Sequence, residues 1–95
     1  MPTTKSVAGI TVEKPDEIRL KELGVKKWPI WTKESSVFDW QYDSEETCYL
    51  LEGEVTVTAG DQHISFGKGD LVIFPKGLSC SWQIKKAVRK HYKFG

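Results

Sequence analysis

Short runs of strand-forming residues, separated by turn residues, dominate this chain from residue 28 onward. The runs are rich in β-branched and aromatic residues, which favour extended structure. Turn residues recur about every 8–10 positions, a spacing typical of an all-β sandwich or barrel. They lie at residues 43–44, 52–53, 60–61, 67–69 and 76–77. The strand runs lie at residues 55–58, 64–66, 71–74, 81–84 and 88–94. The pattern predicts an all-β fold, for which an eight-stranded jelly roll is a compact closed solution.

The N-terminal part differs from the rest. Residues 1–9 are small and polar, and we expect a flexible segment there, followed by one domain over residues 10–95. Residues 10–12 predict a short strand. Pro15 and the acids after it favour the start of a helix, and Gly24 is a good residue to end one. The prediction is one short N-terminal helix outside an all-β body.

Composition excludes several classes of partner. Lys and Arg number 14 and Asp and Glu 13, so the net charge of +1 gives no reason to expect a polyanion. Residues 84–95 carry five bases and no acid, but they lack a nucleic-acid-binding motif, and we interpret them as a solvated strand face beside acidic neighbours. We therefore expect no nucleic-acid partner. No apolar run approaches the roughly 20 residues that span a bilayer, so we expect no membrane partner.

The two cysteines, Cys48 and Cys80, do not make a disulfide framework, and the start lacks the apolar core of a secretion signal. A cytoplasmic protein is the expectation. A plastid or another organelle stays open if a transit peptide has been removed.

Strand parity brings one carboxylate onto an otherwise apolar face. Side chains alternate along a strand, so Glu46, Cys48 and Leu50 share a face of one strand. By the same parity Phe38, Trp40 and Tyr42 share a second face, and Cys80, Trp82 and Ile84 a third. If these faces form the interior, Glu46 is buried, and burying it without a partner would cost several kcal/mol or force it to bind a proton.

Glu46 also belongs to a wider pattern of spaced residues. It stands seven positions before Gly53, and Gly69, Pro75 and Gly77 follow at fixed spacing. These positions fit the two signature motifs of the cupins, so the chain resembles that superfamily. Trp40 and Tyr42 occupy the His-x-His positions of the first motif; in the second, Cys80 replaces a histidine and Ile84 an asparagine.

The chain further resembles short single-domain members of the cupin family named after ureidoglycine aminohydrolase. The similarity extends from residue 12 to residue 94 and is carried by residues 27–31, 38–40, 46–49, 74–78 and 89–92. The resemblance implies a jelly-roll barrel. It also implies a relationship to a longer two-cupin enzyme that uses manganese, but of that enzyme's metal-ligand positions only Glu46 is kept here.

Three interpretations of the predicted interior remain open. Glu46 is at most a weak metal ligand, so we expect no cofactor; a divalent Mn, Zn, Fe or Ni ion is the alternative. Without metal, Glu46 could act as a general acid or base, with Tyr42 and Cys80 as further catalytic candidates. Glu46 could also be a purely structural carboxylate. Candidate ligand-binding residues are Trp40, Trp82 and His91.

The prediction for function is a small cupin that binds a small metabolite in its barrel cavity without the usual histidine-bound metal. An enzyme acting on a ureide- or amide-like molecule is the alternative, so whether the protein is an enzyme stays open. Single cupins also pair through edge strands, and we expect a homodimer as a further arrangement.

Overall fold

Strands make up most of the chain over residues 4–95, the part that the computed structural model describes. The strands are β1 (Thr4–Val7), β2 (Ile10–Glu13), β3 (Ile30–Lys33), β4 (Ser36–Gln41), β5 (Glu46–Ala59), β6 (Gln62–Gly67), β7 (Leu71–Phe74) and β8 (Ser79–Phe94). One helix, α1 (Glu17–Leu23), and a 3-10 helix (Val25–Lys27) precede β3 within this range. The all-β jelly-roll prediction is confirmed.

Two long antiparallel strands organise the sheet. Its order is β1-β2-β7-β5-β8-β3, with β4 also paired to β8 and β6 also paired to β5. β5 has 14 residues and β8 has 16, so each pairs with different neighbours along its length. The strands predicted at 81–84 and 88–94 are therefore two halves of one strand, β8.

The residues at 52–53, predicted to form a turn, form an irregularity inside β5 instead. The β5–β8 register shifts between Leu50 and Val55. Before the shift, even-numbered residues of β5 are buried; after it, Val55 and Val57 are buried. Across these shifts β5 advances by an odd number of residues, from Leu50 to Val55, and β8 by an even number, from Lys90 to Ile84. The inward-facing parity of β5 is therefore reversed, and both halves of β5 contribute to the core.

Gly53 is required at the centre of this bulge. Its φ of 122° lies in a region that residues with a side chain rarely adopt. A Cβ there would lie 2.9 Å from Val88 Cγ2 and 3.0 Å from the carbonyl oxygen of Ala87. The close approach of β8 leaves no room for a methyl group.

The helix prediction is confirmed, and α1 lies on the outside because none of its residues is buried. The Asp16 side chain caps it by accepting a hydrogen bond from the backbone N–H of Arg19 at 2.9 Å. Gly24 ends it with a φ of 69°. Neither helix within residues 4–95 is long and apolar enough to cross a membrane.

Part of the segment over residues 1–9, predicted to be flexible, forms a strand. Residues 1–3 lie outside the described part of the chain. Thr4–Val7 form β1, which pairs with β2 from Thr4 opposite Glu13 to Val7 opposite Ile10. The polar composition suggested flexibility, but an edge strand can expose one whole face and needs few apolar residues.

Replacing Gly53 with alanine should lower the free energy of unfolding by about 3 kcal/mol, because backbone strain and overpacking act together. Gly60 is the matched control, since it also has a positive φ, of 63°, but a Cβ there meets nothing within 4 Å. Gly60→Ala should cost about 1 kcal/mol, the strain alone. Urea unfolding followed by circular dichroism measures both values, and equal losses would contradict the steric role of Gly53.

Candidate functional site

One end of the barrel contains a cavity of about 370 Å³ between β3, β4, the start of β5 and the end of β8. Aromatic rings form most of its wall: Trp31, Phe38, Trp40, Tyr42, Trp82, Tyr92 and Phe94. Trp40 and Phe94 are about half exposed, which puts them at the mouth. Lys33, Glu46 and Lys90 are the charged side chains that line it.

The rings of the wall support one another. Phe38 stacks on Trp82 with their centroids 5.9 Å apart, and Trp31 packs edge-on against both. Tyr42 stacks on Phe74 at 4.8 Å. Rings held on several sides have few rotamers, so the wall is largely formed before any ligand arrives.

The loop that carries Tyr42 is held by the turn at Gly77. The backbone N–H of Tyr42 donates to the carbonyl of Leu78 at 2.9 Å, and its carbonyl accepts from the N–H of Gly77 at 2.7 Å. Gly77 has a φ of 86°, which suits glycine. The two signature segments therefore meet in the structure, and their contact fixes the Tyr42 backbone at the cavity.

Glu46 is buried, as parity predicted, but it is not alone. Lys90 Nζ donates a hydrogen bond of 3.0 Å to Glu46 Oε2, and each side chain is only 5% exposed. Lys90 Nζ also lies 4.6 Å from the ring centroid of Trp82 and 4.9 Å from that of Trp31. A desolvated ammonium over two indoles gains about 2 kcal/mol or more, which adds to its attraction to the carboxylate.

Two sequence-based interpretations are corrected by this pair. The lone carboxyl, expected to bind a proton for want of a partner, has a cation beside it. The basic segment at residues 84–95 is not uniformly solvated, because Lys90 is buried. Lys90 shares the inward face of β8 with Val88 and Tyr92, whereas Arg89 and Lys93 are exposed. The period-two alternation of side chains along β8 is the sequence signal that could have predicted that Lys90 points inward.

The ion pair keeps hydrogen-bonding capacity free toward the cavity. A lysine ammonium carries three donors, and among the described residues Lys90 donates only to Glu46. The second carboxylate oxygen, Glu46 Oε1, accepts no hydrogen bond within residues 4–95 and is not sealed off from solvent. A donor and an acceptor therefore stand side by side at the cavity wall.

Burial keeps the other acidic groups near the cavity protonated. Burial raises the pKa of the Tyr42 phenol well above its usual range, and the charge of Glu46 acts in the same direction. Burial likewise raises the pKa of the Cys48 thiol to about 12 and raises that of Cys80. The nearby indole N–H of Trp82 lowers the pKa of both Tyr42 and Cys80, but by less than burial raises it. That N–H is buried and has no hydrogen-bond partner among the described residues.

Four of the sequence-predicted site residues come together at the cavity: Trp40, Tyr42, Glu46 and Trp82. Cys80 does not line it. Cys80 lies opposite Trp40 across the β4–β8 ladder and lines a separate depression with Asp39 and Ser79.

His91, a candidate ligand-binding residue, also lies away from the cavity. Its Nδ1 is 2.9 Å from the carbonyl oxygen of Trp28, a hydrogen bond that fixes β8 to the segment before β3. His91 alternates with the inward-facing Lys90 and Tyr92, so its side chain leaves the opposite face of the strand. Sequence reasoning missed six lining residues: Trp31, Lys33, Phe38, Lys90, Tyr92 and Phe94.

The residues at the cavity do not suit a metal ion. Within residues 4–95 no group of three or more His, Cys, Asp or Glu side chains could hold one. Lys90 places a positive charge 3.0 Å from the Glu46 carboxylate, where a cation would have to bind. The raised pKa of Tyr42 opposes the phenolate form that a metal would need.

Comparison with known proteins bears on the family. The model of the EutQ-like cupin domain matches residues 20–92. A DUF861-family protein of Thermotoga maritima, known from a crystal structure, is 56% identical, with a TM-score of 0.89 over 90% of this chain and 99% of that one. No curated protein matches this chain.

More distant structures share the fold. The EutQ protein of Clostridium difficile is 14% identical, with a TM-score of 0.64 over 98% of this chain and 64% of that one. A putative ethanolamine utilization protein Q of Salmonella typhimurium is 18% identical, with a TM-score of 0.63 over 98% of this chain and 66% of that one. At these identities the similarity concerns the fold alone.

Removing one partner of the buried pair should destabilise the protein more than removing both. Lys90→Met leaves the Glu46 carboxylate buried and unpaired, which should lower the free energy of unfolding by about 3 kcal/mol. The double variant Glu46→Gln/Lys90→Met should recover part of that loss. Lys86→Met is the control, because Lys86 forms only an exposed pair with Glu54, at 3.7 Å, and should have little effect. If urea unfolding shows that the double variant loses the sum of the two single-variant losses in the free energy of unfolding, the two side chains are not coupled.

Stability should fall at alkaline pH. The Cys48 thiol titrates near its ordinary pKa, about 8.5, in the unfolded chain but near 12 in the folded one, so only the unfolded state loses the proton in between. Cys48 therefore contributes fully to the free energy of unfolding below a pH of about 8.5. Above that pH its contribution falls by up to about 1.4 kcal/mol per pH unit. Tyr42 and Cys80 act in the same direction. Urea unfolding from pH 7 to 11 measures the slope, and Cys48→Ala should flatten it; an unchanged slope in that variant would contradict the assignment.

Proposed function

This chain belongs to the EutQ-like cupin family, and we propose that it binds a small planar organic molecule in its barrel cavity through Glu46 and Lys90, without a histidine-bound metal. One observation carries the proposal: the buried ion pair has an unused donor and an unused acceptor facing a ring-lined cavity. A ligand that satisfies both groups would gain two hydrogen bonds to charged side chains at a site that is largely removed from water.

The polar end of the ligand follows from this pair. A carbonyl oxygen can accept from Lys90 Nζ while an N–H on the same group donates to Glu46 Oε1. Amide, ureide and lactam groups present an acceptor and a donor side by side in one plane, which matches the two side chains. A simple carboxylate could accept from Lys90, but its charge would be repelled by Glu46.

The body of the ligand follows from the walls. The rings of Trp31, Phe38 and Trp82 give the cavity a largely apolar wall against which a flat molecule can stack. The volume of about 370 Å³ is at the low end of the range for ligand pockets, about 300–1,000 Å³. A small metabolite fits this space better than a nucleotide or a peptide.

Catalysis on such a ligand is the second candidate function. Glu46 and Lys90 are in direct hydrogen-bond contact, so a proton can pass between them and a bound amide. The similarity to ureidoglycine aminohydrolase-type cupins favours a ureide- or amide-like substrate, by analogy of fold alone. In this version Glu46 is the acid/base residue and Lys90 polarises the carbonyl, while the Tyr42 hydroxyl stays protonated and can position the substrate by donating or accepting a hydrogen bond.

Binding of benzamide, phenylurea and toluene tests the proposal. We expect the two amides, but not toluene, to shift amide resonances around the cavity in ¹⁵N NMR spectra and to change tryptophan fluorescence. Lys90→Met and Glu46→Gln should each weaken amide binding about tenfold, the effect of leaving one hydrogen bond unmade in a buried site. The exposed-pair variant Lys86→Met is the control and should bind normally.

Further arms of the same titration separate the alternatives. Added Mn²⁺ or Zn²⁺ should leave the affinity for benzamide unchanged; an increase would favour a metal site. Release of ammonia from either amide would establish the enzymatic function. If neither amide perturbs cavity resonances in the folded wild-type protein, the proposed binding function fails.

A further inference from the structure

We propose that Lys90 is a covalent site: its amine forms an imine with an aldehyde or ketone held in the cavity, and Glu46 transfers the protons. This inference rests on the proposed binding function, because the carbonyl that reacts occupies the position of the amide carbonyl described above. It adds a reaction that amide binding does not require. The chemical class of the ligand is then a small planar carbonyl compound.

Lys90 differs from the other lysines near the cavity. It is the one lysine buried among residues 4–95, and it contacts a carboxylate that is itself buried. Lys33 also lines the cavity, but its side chain is 39% exposed and its amine lies 3.9 Å from Glu34, which is solvated. An exposed ammonium is stabilised by water and gives up its proton at a high cost, so it reacts slowly with carbonyls at neutral pH.

Glu46 can accept the proton that the Lys90 ammonium must lose before it reacts. Lys90 passes one proton to Glu46 over the 3.0 Å hydrogen bond, which converts an ion pair into a neutral amine and a carboxylic acid. This conversion removes two desolvated charges together, which offsets the loss of the ammonium's attraction to the two indole rings. The free amine then carries the lone pair that attacks the carbonyl carbon.

The steps that follow balance in atoms and charge. The nitrogen–carbon bond forms, the π electrons move to the oxygen, and that oxygen takes the proton from Glu46. The nitrogen returns a proton to Glu46, which protonates the hydroxyl group; the carbon–oxygen bond breaks and water leaves. Lysine ammonium and carbonyl compound thus become a protonated imine and one water molecule, with no change in charge and no oxidant or reductant.

The surroundings suit the product as well as the free lysine. The protonated imine keeps its positive charge on the same nitrogen, beside Glu46 and within 5 Å of the ring centroids of Trp31 and Trp82. Both the carboxylate and the indole rings attract a cation there. The apolar walls also limit water, whose return would hydrolyse the imine.

Reductive trapping tests the inference. We would incubate the folded protein with benzaldehyde and sodium cyanoborohydride at neutral pH and locate benzyl groups by peptide mass spectrometry. Lys90 should be labelled first, ahead of the exposed Lys85 on the same strand in the same digest. Lys90→Arg should lose that label, and Glu46→Gln should label more slowly at position 90, while Lys85→Arg should leave labelling of Lys90 unchanged. Circular dichroism would show that each variant is folded.

Protection by benzamide separates this inference from the function on which it rests. Benzamide should slow labelling of Lys90 in the wild-type protein and leave Lys85 unaffected, a comparison that needs no variant. If benzamide binds in the cavity but Lys90 is labelled no faster than Lys85, the imine proposal is overturned and the binding function stands. If Lys90 is labelled first but benzamide neither binds nor protects, the covalent site stands and the proposed amide ligand falls.

Discussion

The pairing of β5 with β8 is the constraint on which the rest of this structure depends. Both strands are long enough to contact several neighbours, and the barrel closes only if each keeps one face inward along its whole length. In β5 that continuity requires the bulge at Gly53, which moves the inward face from Glu46, Cys48 and Leu50 to Val55 and Val57. Without it, a straight strand would turn one half of its apolar residues to solvent. The start of β5 would then no longer be held at the cavity.

The buried pair of Glu46 and Lys90 places two opposite charges at the wall of an aromatic cavity. Two charges removed from water lose several kcal/mol of hydration each, and their attraction repays this only in good geometry. Here two indole rings assist by facing the ammonium. A well-packed apolar pair would serve stability equally well, and this supports the proposal that the charged pair binds a ligand. The arrangement that stabilises the lysine cation would also stabilise the cationic imine that we propose on that nitrogen.

Much of the site could be predicted from local patterns, and the failures have definite causes. Alternation correctly turned Glu46 and Trp82 inward because period-two geometry holds within any strand. Tyr42 is buried too, but it follows the end of β4, so its position depends on its backbone contacts with Gly77 and Leu78. The same rule would have turned Lys90 inward, but the charge density of residues 84–95 favoured a solvated interpretation. Cys80 shows a limit of this rule, because its parity correctly predicts burial but the residue lines a separate depression rather than the cavity.

The sequence by itself determined the class of fold, the short helix and the presence of one buried acid, because these depend on local spacing, turn residues and alternation. Only the tertiary structure decided what that acid meets. Glu46 and Lys90 are 44 residues apart in the chain and come together through the β5–β8 register and the length of the lysine side chain. No local sequence pattern gives the distance between two strands. The pairing of Glu46 with Lys90 can therefore be identified only from the tertiary structure.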